Sequence, residues 1–367
     1  MSLLLSEDQT LLRDSAAGFV AQHSPVSRVR ALRDDLVGYD KALWKTFGDM
    51  GFSGLLLPVE AGGSGLGHSE IAIIQEQIGR NLCASPFLAT AVGGAMTLAA
   101  ASGAAAAGWR SAIAEGSICI ALAIDEDGSG DPDAVRTVAV KSGEGVRLTG
   151  RKTAVMWGGD ADLLLVLARD GEGDHPRFYA VDPGAKGVTI GKARLADGGM
   201  AAHIDFDTVD LSGDARIDGQ PPAQDILDAC ALAAAAELYG VGMTAFEMTL
   251  GYLKERKQFG ATIGSFQALQ HRAAHLHGEL ELARAALRRA QLLFDEGAEI
   301  GVAASVAKAM AGLAADLAVR EGVQMHGGIG MTDEHDMGLF MKRARILNTQ
   351  FGDPDYHANR CALLSGY

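Results

Sequence analysis

Glu255-Arg256-Lys257-Gln258-Phe259-Gly260-Ala261-Thr262-Ile263-Gly264-Ser265-Phe266-Gln267-Ala268-Leu269-Gln270 lies between two long helical patterns and does not read as a plain connector. Arg256 and Lys257 close the first helix, where cations suit the negative end of the helix dipole. Phe259 and Gly260 break the periodicity, and Ile263 and Phe266 open a new apolar stripe. A loop offering a fixed cation, an aromatic face and backbone amides suits a diphosphate joined to a flat ring. A helix–helix corner with an exposed salt bridge fits the same residues.

On both sides of this stretch the pattern is helical. Helices are expected over 224–257, 263–296, 301–326 and 334–348. In the second, Phe266, Leu269, Ala273, Leu276, Leu280, Ala283, Leu287, Ala290 and Phe294 recur every three or four residues and form one apolar face. Four such helices with short links make a bundle. Gly219-Gln220-Pro221-Pro222-Ala223 marks its start. Before it the texture is different: short apolar runs at 118–124, 135–140, 145–150, 163–168, 177–181 and 203–209 alternate with Gly-rich turns, predicting a small antiparallel β-barrel or sandwich. The first third reads as helices over 4–23, 40–50, 69–80, 88–101 and 103–115. The Gly-rich run at 51–67 is read as a tight connection, because no Lys-Ser/Thr follows it and no strand-turn-helix unit surrounds it. The expected architecture is multidomain α+β: a helical domain at 1–116, a β domain at 117–218 and a helical bundle at 219–367.

The 367-residue chain is 48% hydrophobic and 21% charged, which fits a well-packed protein with extensive interfaces. A formal charge of −14 argues against nucleic acid or an anionic membrane as main partner, while leaving room for a local basic patch. The opening residues carry no basic stretch ahead of their leucines, and no uninterrupted apolar run spans a bilayer, so neither a secretion signal nor membrane insertion is expected. Cys83, Cys119, Cys230 and Cys361 are scattered, as befits reduced thiols in a cytoplasmic protein.

Arg256-Lys257-Gln258-Phe259-Gly260, with Ile263 and Phe266-Gln267, resembles a signature of the acyl-CoA dehydrogenase family. Gln324-Met325-His326-Gly327-Gly328-Ile329-Gly330-Met331-Thr332 resembles the family's other hallmark, and Pro58-Val59-Glu60-Ala61-Gly62-Gly63 its first-domain loop with one residue fewer. The resemblance covers nearly the whole chain, most strongly after Ala231. It implies the helical, β, four-helix-bundle order, FAD as cofactor, and a dimer or tetramer whose neighbouring subunit completes the FAD site. Arg256 and Phe259 are then expected at a neighbour's pyrophosphate and adenine end, with Gln267, Gln324, Gly327 and Gly328 closing around the dinucleotide. An ordinary helix stop is the other reading of the paired glycines. At the flavin end the family's Thr-Glu-Pro-x-x-Gly-Ser-Asp segment corresponds to Asp125-Glu126-Asp127-Gly128-Ser129-Gly130-Asp131, with Ser129 matching its hydroxyl. The family's flavin-facing Trp falls on Ala154-Val155-Met156, and Trp157 follows late, either to cover the flavin or to fill the core.

The reaction the family implies removes a proton α to a thioester carbonyl while hydride leaves the β carbon for the flavin, which calls for a partly desolvated carboxylate. Most members carry it on a late loop, at the position of Phe351; others carry it on the first bundle helix, at the position of Cys230. Asp353, on the late loop, and Glu237, two turns beyond Cys230, are the remaining candidates. Asp353 is the expected base or else the cap of a helix starting near Pro354. Glu237 is expected chiefly as a buried hydrogen-bonding group. Asp228 matches the family's CoA-directed Asp, but the Arg that should follow is Ala231. His271, His275 and His277 are read as helix-surface residues and no metal is expected.

The leading expectation is therefore an FAD-dependent acyl-CoA dehydrogenase passing electrons to an electron-transfer flavoprotein or similar acceptor. A non-catalytic subunit pairing with a catalytic paralogue in a heterotetramer is the second reading. A flavin oxidase or monooxygenase on the same fold is the third.

Overall fold

The computed structural model describes residues 4–128, 131–171 and 175–367. The helices are α1 (Glu7–His23), α2 (Ser27–Leu32), α3 (Lys41–Asp49), α4 (His68–Asn81), α5 (Ala95–Leu98) and α6 (Ala104–Ala114), then α7 (Ala223–Glu255), α8 (Gln267–Asp295), α9 (Gly301–His326), α10 (Met337–Thr349) and α11 (Pro354–Leu364). The strands are β1 (Ile120–Ala123), β2 (Val138–Ser142), β3 (Gly145–Met156), β4 (Leu163–Asp170), β5 (Pro176–Val181), β6 (Val188–Arg194), β7 (Met200–Leu211), and the short pair β8 (Lys257–Gln258) and β9 (Ala261–Thr262). Helical N-terminal part, central sheet and helical C-terminal part follow in the expected order.

Two compact units emerge from the packing: Met1–Ala31, His68–Cys83 and Ala231–Tyr367 in one, Leu32–Gly67 and Ala84–Cys230 in the other. The first is helical. Its core is an alanine- and leucine-rich seam in which Ala273, Leu276, Leu280, Ala283, Leu287 and Ala290 present the apolar stripe of α8. Phe266, at the head of that stripe, stays exposed. α4 and α7 cross closely: a Cβ on Gly79 would stand 2.1 Å from Glu237 O, and one on Gly240 2.2 Å from Glu76 O. Any side chain at either glycine would force the backbones apart. α1 begins at Glu7 rather than Leu4, because Ser6 and Gln9 form a reciprocal capping box at 3.1 and 3.2 Å.

The second unit holds the seven-stranded sheet, in the order β1-β4-β2-β3-β7-β6 with β5 on β4. The β1–β4 and β2–β4 pairings are parallel and the rest antiparallel. β4 is apolar over its first six residues and buried there, as a strand covered on both faces must be. Register shifts between Leu148 and Gly150 and between Lys152 and Val155 bend β3 against β7, and such bulges add twist to a long ribbon. β6 has no counterpart among the expected strands. The helix expected over 88–101 is a π-helical turn, Leu88–Gly94, running into α5.

By length and composition alone, 223–255 and 301–331 are apolar enough to cross a bilayer, although charged residues such as Glu237 and Lys308 interrupt both runs. Their most apolar windows are 94% and 56% buried within the protein, which accounts for the composition as core helix. All four cysteines are free thiols, with Cys361 half-buried and the others buried.

Candidate dinucleotide-binding arm and the carboxylates around it

α7 closes with the Arg256 amide donating to Tyr252 O at 2.9 Å, and the chain turns at once into the β8–β9 hairpin. Phe259 and Gly260 form its two-residue loop with φ of +55° and +78°. Two left-handed residues are what a tight hairpin needs to match strand twist. Gly260 adopts this freely; a phenylalanine there costs about 1–2 kcal/mol. The ring so placed is 91% exposed, touched edge-on by Phe266 at 6.2 Å. Arg256 is also exposed, and its guanidinium makes no hydrogen bond or ion pair among the described residues. Gln267 is exposed at the first residue of α8, next to Phe266. A stiff arm thus holds out an uncommitted cation and an uncovered aromatic ring.

The second motif ends α9. Gly327 has φ +65° and ψ −141°, a conformation open almost only to glycine. A Cβ on Gly327 or Gly328 would meet nothing within 4 Å, so this backbone faces open space, with Gln324 exposed one turn earlier. The two motifs meet at one end of the helical unit through Tyr252 and His326, whose ring centroids are 4.6 Å apart. His326 is buried, its Nδ1–H donates to Gly322 O at 2.7 Å, and it packs on His335 at 4.4 Å. Burial, with His335 adding to it, holds its pKa below the ordinary histidine range despite the Gly322 bond. It acts as a neutral pin between helix ends, as expected of a structural residue. An unpaired guanidinium, an exposed ring and open glycine backbone are the donor set a diphosphate on a flat base requires, so the residues fit FAD.

The flavin-end candidates lie in the other unit. Ser129 falls outside the described residues. Beside it, Asp125 Oδ1 accepts from the Gly128 amide at 2.8 Å. Glu126 takes the fully buried Lys152 ammonium at 2.8 Å and the Thr137 hydroxyl at 2.6 Å. Burial would raise the Glu126 carboxyl, but these bonds together hold it at about 2. Trp157 is 6% exposed and edge-on to Tyr39 at 5.4 Å, its amide donating to Met200 O at 3.0 Å. That is a core position. Asp228 is 4% exposed and accepts from Gln224 Nε2, one turn earlier, at 2.9 Å.

Both carboxylates proposed for proton abstraction are engaged. Asp353 is exposed and caps α11, Oδ1 accepting from the Tyr356 amide at 2.8 Å with Pro354 following. Glu237 is 1% exposed, and its Oε1 accepts from Arg343 Nε at 2.8 Å and Nη2 at 2.6 Å. The Asp353 loop rests on groups the sequence did not disclose: buried Lys308 donates to Gly352 O at 2.9 Å, and His357 Nε2 donates to Phe351 O at 2.8 Å. Tyr252, Lys308 and Arg343 all went unnoticed in the sequence, since each matters through a partner distant in the chain.

Burial pushes the Lys308 ammonium down to about 7, against an ordinary 10.5. Between those values the unfolded chain holds a proton that the folded chain has released, so stability rises with pH. The stability read from urea denaturation is expected to climb from pH 7 to 8.5, by up to about 1.4 kcal/mol per pH unit. In Lys308→Met the climb should be clearly shallower; an unchanged slope would exclude Lys308 as its source.

Residues 6–117 match the family model for the acyl-CoA dehydrogenase N-terminal domain, and 218–362 that for the C-terminal domain. Acyl-CoA dehydrogenase IpdE2 of Mycobacterium tuberculosis is 33% identical over 339 residues, 92% of this chain and 91% of that protein. Among solved structures, a variant of the Tcur3481-Tcur3483 steroid ACAD is 31% identical, with 98% of each chain covered and a TM-score of 0.90. The ChsE4-ChsE5 complex from Mycobacterium tuberculosis is 25% identical over the full length of both chains, with a TM-score of 0.92. The cofactor is FAD, and the chain belongs to the acyl-CoA dehydrogenase family of oxidoreductases.

Proposed function

We propose that this chain is the non-catalytic subunit of a two-chain acyl-CoA dehydrogenase, completing the FAD site of a paralogous chain that supplies the proton-abstracting carboxylate. The observation that carries this reading is the engagement of both candidate carboxylates, Asp353 as a helix cap and Glu237 in a buried ion pair. By the family resemblance, the usual carboxylate positions would fall on Phe351 and Cys230, and the CoA-directed Arg on Ala231. Arg256 would bind the pyrophosphate, Phe259 cover the adenine end, and Gln267, Gln324, Gly327 and Gly328 close around the dinucleotide. When bound, FAD would supply the acceptor for a hydride from the β carbon of a CoA thioester, and the paralogue's carboxylate would take the α proton. An electron-transfer flavoprotein in the cytoplasm would be the partner that takes up the electrons. The name of one neighbour, a steroid ACAD, and of another, a complex of two named chains, support a bulky polycyclic acyl group and a heterotetramer. In this reading the functional division stays at 1–116, 117–218 and 219–367.

The test is purification alone and with the co-expressed paralogue, then anaerobic addition of a panel of acyl-CoA thioesters that includes steroid side-chain thioesters. The paired protein is expected to bleach its flavin and the lone chain is not. Asp353→Asn in the paired protein should keep turnover within about twofold, since a capping Asn replaces a capping Asp at little cost. Bleaching by the lone chain, lost about a hundredfold or more in Asp353→Asn, would instead make Asp353 the base.

A further inference from the structure

α1, α4, α7 and α8 border a pocket of about 650 Å³ that the dinucleotide arm does not use. Arg288 lines it six helical turns along α8 from Gln267, roughly 30 Å at 1.5 Å per residue. Ile73, Tyr239 and Leu287 give it an apolar wall, and Arg13, Arg80, Arg284 and Arg288 bring four cations against one acid, Glu76. Three of the four are already paired: Arg13 with Asp14 at 2.8 Å, Arg80 with Glu76 at 2.8 Å and Glu247 at 3.1 Å, Arg284 with Glu281 at 2.5 Å.

Arg288 differs. It is only 9% exposed, its Nη2 donates to Gln9 Oε1 at 2.7 Å, and its Nε is buried with no partner. No carboxylate lies within ion-pair distance of it among the described residues. The two acids whose charge it feels, Glu70 and Asp295, are committed elsewhere. Glu70 accepts from Gln9 Nε2 at 2.7 Å, and Asp295 accepts from the His68 amide at 2.6 Å and the Ser69 hydroxyl at 2.5 Å. A buried guanidinium bonded only to a neutral amide is costly unless an anion completes it. Gln77 and Gln291, each 4% exposed, line the same pocket and offer further amide groups.

We propose that this pocket binds a monocarboxylate amphiphile, with its head on Arg288 and its apolar body along Ile73, Tyr239 and Leu287. A single unpaired guanidinium among neutral amides matches one negative charge, and the volume lies within the usual range for small-molecule sites. The occupant is thus of the class of free medium-chain carboxylic acids, recognised apart from the CoA thioester.

Calorimetric titration of the full chain with decanoate, 1-decanol and inorganic phosphate tests this. Decanoate is expected to saturate at one site, with decanol and phosphate each about tenfold weaker or more. Arg288→Gln should weaken decanoate about tenfold or more, and Ala17→Phe, which projects a ring into the pocket from α1, should do the same with the cation intact. Phosphate binding as tightly as decanoate would overturn the proposed class. Decanoate binding that survives both substitutions would overturn the site. Should either variant fail to fold, a diazirine-bearing decanoate used on the unaltered protein decides the matter by peptide mapping. Label on the peptides holding Ile73 or Leu287 supports the site, and label only elsewhere overturns it.

Discussion

Arg256→Gln is expected to weaken FAD retention about a hundredfold while leaving the unfolding of the chain almost unchanged. The two effects separate because the guanidinium is exposed and bonds to nothing among the described residues. Surface substitutions of that kind move stability by about 0.5 kcal/mol or less. Against a diphosphate, the same group would make charge-assisted, forked hydrogen bonds worth about 1.5–3 kcal/mol, and about 1.4 kcal/mol corresponds to each tenfold in affinity. Arg256→Lys keeps the charge without the fork and should fall between. Phe259→Gly gives an independent reading: it relieves the left-handed strain at φ +55° and so should tighten the hairpin, yet it removes the ring and should loosen FAD. A merely structural arm would show the opposite sign, with better cofactor retention in the better-folded variant. Flavin fluorescence of the ultrafiltrate, measured with the paralogue present and absent, reads both. Equal retention in Arg256→Gln would remove the arm from the FAD site.

How legible these features were depends on the sequence distance of the interaction. The stripe of α8 was legible because six of its apolar residues repeat every three or four positions and all of them are buried. The end of α9 was legible because Gly327 supplies a local stop. β6 was not: Val188 to Arg194 carries Gly191, Lys192 and Arg194 on an edge strand, whose order comes from seven pairings with β7 rather than from its own pattern. The β8–β9 hairpin hid because its loop is Phe-Gly, not the Asn-Gly that announces a type I′ turn. At the site, Arg256 and the paired glycines belong to contiguous motifs and could be found by resemblance. Arg343, 106 residues from Glu237, could not, since no local rule says which buried acid will meet which arginine.

That ion pair yields the second large expectation. Glu237→Ala should destabilise the chain by about 3–5 kcal/mol, because it takes from the Arg343 guanidinium, only 18% exposed, the carboxylate it holds. The replacement of both partners, Glu237→Leu with Arg343→Leu, should recover much of the loss, since removing two buried charges together costs far less than leaving one. A catalytic Glu237 predicts a different set of results. Glu237→Gln would then abolish turnover while leaving the urea midpoint nearly in place, and the double leucine variant would fold but stay inactive. Paired measurement of urea midpoint and turnover in the co-expressed protein separates the two cases. The geometry favours the first: Arg343 meets Glu237 Oε1 through two nitrogens at 2.8 and 2.6 Å, so the carboxylate is committed to a neighbouring guanidinium rather than presented to a substrate.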